Sequence, residues 1–154
     1  MTDIKNLYRE LIIDHNNSPR NFGKLVDADY LAEGFNPICG DHYFVYIKMN
    51  KGKIGKINFE GSGCAISKSS ASIMTEILQS ESTKGSLKIL EEFRAFLNPS
   101  INLKKSKNKL REPLKKLEAF SGIKDFPGRI KCVELPWFTM KAAFQKENYF
   151  SNEK

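Results

Sequence analysis

The sequence predicts an α+β domain, a small antiparallel sheet with helices before and after it. Two observations carry this. Residues 42–60 hold two strand-like segments around a turn, and stretches with apolar residues at helical spacing lie on both sides of that hairpin. The chain has 154 residues, which suits one domain with its own core and needs no disulfide staples. There is no internal repeat and no composition break that marks a domain boundary, so residues 1–154 are read as one unit.

In chain order, residues 2–16 predict an amphipathic helix. Thr2 or Asp3 caps it, Ile4, Leu7, Tyr8, Leu11 and Ile12 share a face, and Asn16-Asn17-Ser18-Pro19 ends it. Leu25 to Ala32 is a candidate strand, the third of the sheet, and Gly34 with Asn36-Pro37 marks a turn after it. In 42–49, Tyr43, Val45 and Ile47 fall on one side and Phe44 and Tyr46 on the other. Asn50-Lys51-Gly52-Lys53 turns the chain into the returning strand 54–60. Gly61-Ser62-Gly63-Cys64 then opens a helix over 65–80 that begins with small residues. A further helix over 83–97 stops at Asn98-Pro99. A basic insertion spans about 98–118, and Leu110, Leu114 and Leu117 predict a short helix at its end. Phe126-Pro127-Gly128 reads as a turn. Cys132 stands just before a last helix that has Pro136 in its first turn and Trp137, Met140 and Phe144 inward.

The formal charge is +7, compatible with nucleic acid, an anionic surface or an acidic protein partner. The basic run from Lys104 to Lys116 lacks interleaved aromatics and any recognition motif, so a solvated face or a docking surface for an acidic protein ranks above nucleic acid. No apolar run reaches the length of a membrane span, and residues 1–16 are charged and amphipathic rather than signal-like. The expectation is a cytoplasmic protein whose thiols stay reduced.

All three cysteines fall at predicted element ends. Cys39 and Asp41 straddle Gly40, Cys64 precedes a helix, and Cys132 lies beside another. Three thiolates and a carboxylate make a tetrahedral zinc set, and thiolates also suit iron–sulfur clusters. By spacing alone, the pattern fits three unrelated buried thiols equally well. If the metal site is real, its ligands carry excess negative charge. Arg129 and Lys131, next to Cys132, are then the expected compensators, and His42 is a neighbour of the ligands. His15 reads as a helix C-terminal cation or hydrogen-bonding partner. Asp41, a hard oxygen among soft sulfurs, is expected to be the most labile ligand.

Longer blocks add a resemblance. They are Ser18-Pro19-Arg20-Asn21-Phe22-Gly23, Asn36-Pro37-Ile38-Cys39-Gly40-Asp41, Phe59-Glu60-Gly61-Ser62-Gly63-Cys64-Ala65-Ile66-Ser67, Phe126-Pro127-Gly128-Arg129-Ile130-Lys131-Cys132 and Leu135-Pro136-Trp137. In this order they resemble the U-type iron–sulfur cluster assembly family (IscU and NifU N-terminal-like), most closely its SufU branch. The resemblance implies a three-stranded antiparallel sheet with helices on one face, and one metal held by Cys39, Asp41, Cys64 and Cys132. It implies zinc in that site, with a transient [2Fe–2S] cluster as the alternative. It makes Cys39 the acceptor of persulfide sulfur from a PLP-dependent cysteine desulfurase, SufS-like, in service of downstream iron–sulfur assembly proteins. The activity would be that of a sulfurtransferase-like carrier; a cluster scaffold or a structural-zinc interaction module are the alternatives. Lys131 stands where the IscU branch carries His, and Phe126-Pro127-Gly128-Arg129 where that branch carries its chaperone-binding stretch.

Overall fold

The computed structural model describes residues 4–98 and 109–152. Residues 104–108 of the basic run, with the start of the expected insertion, lie outside the described residues. The elements are α1 (Ile4–Asn17), β1 (Tyr30–Asn36), β2 (Asp41–Asn50), β3 (Lys53–Ser62), α2 (Ala65–Leu78), α3 (Thr83–Leu97), a 3₁₀ segment (Glu112–Asp125), α4 (Pro127–Phe144) and β4 (Tyr149–Ser151). The sheet order is β3-β2-β1-β4. β1, β2 and β3 pair antiparallel, and β4 runs parallel to β1. The sheet is therefore four-stranded and mixed, not three-stranded and antiparallel. The added strand has only three residues, too few to show an alternating pattern in sequence.

The hairpin forms where the alternation places it. Tyr43, Val45 and Ile47 of β2 and Ile57 and Phe59 of β3 are buried, with Val45 opposite Phe59 and Ile47 opposite Ile57. Burying each such side chain contributes about 1.5–3 kcal/mol. α4 packs across β1 and β2, and α2 lies against β3. α1 covers α2, while α3 and the 3₁₀ segment close around α4. One buried cluster runs from the sheet through α2, α3 and the 3₁₀ segment to α4.

Three local readings change. β1 lies at Tyr30–Asn36 rather than 25–32, so Gly34 belongs to the strand and not to a turn. A Cβ on Gly34 would sit 1.9 Å from Thr139 Oγ1, so this glycine lets α4 approach the sheet backbone. The helical stripe after the basic run is a 3₁₀ stripe. Leu114, Leu117 and Phe120 are buried at a spacing of three, which matches three residues per turn, and Pro113 sits in its first turn. Phe126-Pro127-Gly128 is not a free turn, because Pro127 begins α4. A proline is favoured there since the missing N–H has no helical acceptor to reach. Cys132 thus lies inside α4 and Pro136 in the helix interior, where it removes the N–H that would otherwise reach the Cys132 carbonyl.

Candidate metal centre

β1 and β2 are joined by residues 37–40, and Asn36 faces Asp41 across the ladder. The Gly40 N–H donates to the Asn36 carbonyl at 2.8 Å, and Gly40 has φ +74°, a left-handed conformation that a side chain disfavours. This tight reversal leaves Cys39 exposed and turns Asp41, the first residue of β2, fully inward. At the same open end of the hairpin, just past β3, Cys64 caps α2, and its sulfur accepts the Ser67 N–H at 3.5 Å. Cys132 rises from α4, fully buried, with its Sγ 3.1 Å from Cys39 Sγ. The ligand atoms of Cys39, Asp41 and Cys132 all lie within 4.8 Å of one another.

Cys64 stands outside that trio and is tied to it. Its N–H donates to Asp41 Oδ1 at 2.9 Å. Hydrogen bonding with Cys132, reinforced by the Ser67 N–H, pulls the Cys64 thiol down to about 6 against the opposing effect of burial. The same interaction pushes the Cys132 thiol upward, with burial and Cys39 adding to it.

Three side chains that sequence reasoning had not singled out complete the surroundings. Asn36 Nδ2 lies 3.3 Å from Asp41 Oδ2 and 3.6 Å from Cys132 Sγ. Ser67 Oγ lies 3.0 Å from Asp41 Oδ1, and Tyr43 OH lies 2.8 Å from Ser67 Oγ. All three are fully buried. Gly63 is required beside them, because a Cβ there would come within 2.5 Å of Asp41 Oδ1 and 2.6 Å of both Ser67 Oγ and Tyr43 OH. Their sequence signals were weak: an asparagine ahead of a proline, a serine in a helix's first turn, and a tyrosine two residues after Asp41.

Cys39 and Cys64 open onto a cleft of about 590 Å³ whose other wall is residues 125–129. Arg129 is on that wall and exposed. Lys131 is half-buried, and its carbonyl accepts Asn152 Nδ2 at 3.0 Å, which ties α4 to the end of β4. His42 points to the opposite side of the sheet from Asp41. There its ring pairs with Glu33 and packs against Phe35 and Phe44. Arg129 thus lines the same cleft as Cys39 and Cys64, whereas His42 lies on the other side of the sheet.

A family model for the NifU-like N-terminal domain matches residues 7–133. The chain belongs to this family. Within the NifU-like family it is 37% identical over 142 residues to the iron–sulfur cluster assembly scaffold protein IscU of Thermotoga maritima, spanning 92% of this chain and 95% of that one. It is 32% identical over 150 residues to the zinc-dependent sulfurtransferase SufU of Bacillus subtilis, spanning 94% of each. Its fold matches a crystal structure from Fervidobacterium islandicum, described as a candidate scaffold protein for the SUF system, with a TM-score of 0.77 and 30% identity. That match covers 87% of this chain and 93% of the other. Among the described residues of this NifU-like chain, no helix is long and apolar enough to cross a membrane.

Proposed function

We propose that the chain is an iron–sulfur cluster biogenesis protein that accepts sulfane sulfur on Cys39 from a SufS-like, PLP-dependent cysteine desulfurase, with zinc held by Cys39, Asp41, Cys64 and Cys132. The observation that carries this reading is the division of the centre. Asp41 and Cys132 are fully buried, whereas Cys39 is exposed beside an open cleft. Structural zinc sites enclose their ligands; a site that works keeps one position accessible. That accessibility disfavours a purely structural zinc module.

The donor set fits the metal. Soft thiolates and a hydrogen-bonded carboxylate converge with ligand atoms close enough to share one ion. Zinc would supply positive charge that holds the thiols as thiolates. The chain's own residues do the rest. The Cys39 thiolate attacks the outer sulfur of the desulfurase persulfide. A new S–S bond forms on Cys39, the donor's S–S bond breaks, and the electron pair leaves with the desulfurase thiolate. Arg129, on the wall of the same cleft, adds a positive charge to its lining. The sulfur then passes to downstream iron–sulfur assembly proteins. The zinc-dependent sulfurtransferase among the relatives supports this reading.

A second reading, a scaffold that builds a [2Fe–2S] cluster on the same residues, is supported by the relative named as a scaffold and by the Cys39 and Cys132 thiols converging with Cys64 beside them. Zinc, iron and acid-labile sulfide measured per chain in anaerobically purified protein separate the two. About one zinc without sulfide supports the sulfur acceptor, and the Cys39→Ala chain is then expected to take no radiolabelled sulfur from a desulfurase. Iron with matching sulfide supports the scaffold. Sulfur transfer to the Cys39→Ala chain removes the acceptor role from that residue.

A further inference from the structure

We propose that Asn36 is a positioning residue of the metal centre: its side-chain amide holds the Asp41 carboxylate and the Cys132 sulfur in place while Cys39 exchanges. This rests on the four-ligand reading above.

The amide's orientation follows from its partners. The Ile38 N–H lies 3.3 Å from Asn36 Oδ1, and an N–H can only donate, so the oxygen must face the turn. The NH₂ group then points the other way, at Asp41 Oδ2 (3.3 Å) and Cys132 Sγ (3.6 Å). One side chain therefore touches the turn that carries Cys39, the carboxylate of Asp41 and the sulfur of Cys132. It is fully buried, so water does not compete for these bonds.

The opposite side of Asp41 is held as well. Oδ1 accepts the Cys64 N–H and the Ser67 hydroxyl, and Tyr43 in turn donates to Ser67. A carboxylate oxygen only accepts, so the Ser67 proton goes to Asp41 and the Tyr43 hydroxyl donates to Ser67. Each carboxylate oxygen thus has at least one donor, and those donors sit on β1, α2 and the residue that caps α2. Hard-soft chemistry alone makes Asp41 the labile ligand. The geometry reverses this: Asp41 and Cys132 are anchored, and Cys39 sits on an exposed turn. The uncharged amide suits the position because it donates to two anions and adds no negative charge of its own.

Asn36→Asp and Asn36→Ala test this against a role in the turn alone. Asp keeps the size and the acceptor for Ile38 N–H, but replaces the donor with a carboxylate facing two anions. Ala loses both functions. If Asn36 only shapes the turn, Asp is tolerated and Ala is the worse variant. If Asn36 positions the ligands, Asp is at least as damaging as Ala. The measurement is Zn2+ affinity by competition with a chromogenic chelator, together with the visible spectrum of the Co2+-loaded chain and circular dichroism of the metal-free chain. The expected result is Zn2+ binding weakened roughly tenfold to hundredfold in Asn36→Asp, with shifted Co2+ bands and retained helix content. Native affinity and spectrum in Asn36→Asp, or loss of the metal-free fold in both variants, overturns the proposal. Failure of the native chain to bind Zn2+ or Co2+ would instead overturn the four-ligand reading beneath it.

Discussion

Ser72, His15 and Glu76 line up as hydroxyl, imidazole and carboxylate, the ingredients of a nucleophilic site, yet they are placed where no substrate reaches. Ser72 and His15 are buried, and Ser72 Oγ accepts the Arg20 N–H at 2.8 Å. The same Oγ lies 2.7 Å from His15 Nδ1, and the trio ties α1 to α2. Burial, with Arg20 adding to it, lowers the His15 pKa below its usual 6.5. The unfolded chain takes up this proton near pH 6.5 while the folded chain does not. The His15 contribution to stability is thus complete above that pH and declines as pH falls toward the folded pKa. The urea midpoint of the metal-free chain, followed from pH 7.5 to 5.5, is expected to drop less steeply in His15→Gln than in the native chain. Identical slopes would mean that His15 is not buried neutral. Sequence could place His15 at a helix end, but its partner lies 57 residues away, a contact no local pattern encodes. The same limit hid Asn36, Ser67 and Tyr43, whereas the three cysteines and Asp41 stood out because their chemistry is rare.

Helices α2 and α4 carry Cys64 and Cys132 to one place, and a buried polar bridge fixes their relative position. Ser70 Oγ donates to the Val133 carbonyl at 2.6 Å and accepts the Trp137 Nε1–H at 3.1 Å, one residue from Cys132 along α4. Ser70→Ala leaves the indole N–H and weakens the satisfaction of that carbonyl inside the core. The expected loss is about 1–3 kcal/mol of folding stability, read from urea unfolding of the metal-free chain. A loss within error of zero would mean that the bridge does not join the two helices energetically. At this scale the hairpin, α2 and α3 were legible because each has a clean period and a stop signal. β1 and α4 were misjudged for one shared reason. Gly34 and Pro136 act as breakers in isolation, but here the glycine makes room for Thr139 and the proline is carried in a helix interior packed on the sheet. β4, with three residues against β1, offered no period at all.

Across the molecule, the proposed ligands come from three places: the β1–β2 turn with the start of β2, the residue ahead of α2, and α4. Three cations of the basic stretch are engaged away from these ligands. Arg111 pairs with Glu92 of α3 and Lys116 with Glu76 of α2, which fastens the 3₁₀ segment and the residue before it to both helices, while Lys115 pairs with Glu118 within the segment. Among the described residues, Arg111, Lys115 and Lys116 do not line the thiol cleft. A metal that binds the folded chain and not the unfolded one stabilises it by mass action, and here it would lock hairpin, α2 and α4 together. The contribution is unequal among ligands. Cys132 is anchored in the core, whereas Cys39 hangs on an exposed turn. The rise in melting temperature on adding Zn2+ to metal-free protein is therefore expected to survive in large part in Cys39→Ala, which keeps Asp41, Cys64 and Cys132, and to vanish in Cys132→Ala. Sulfur acceptance should be lost in Cys39→Ala despite that retained zinc. If Cys39→Ala loses the zinc-dependent rise as fully as Cys132→Ala, then Cys39 is as much a part of the closed site as the buried ligands, and the division between an anchored floor and an exchangeable thiol fails.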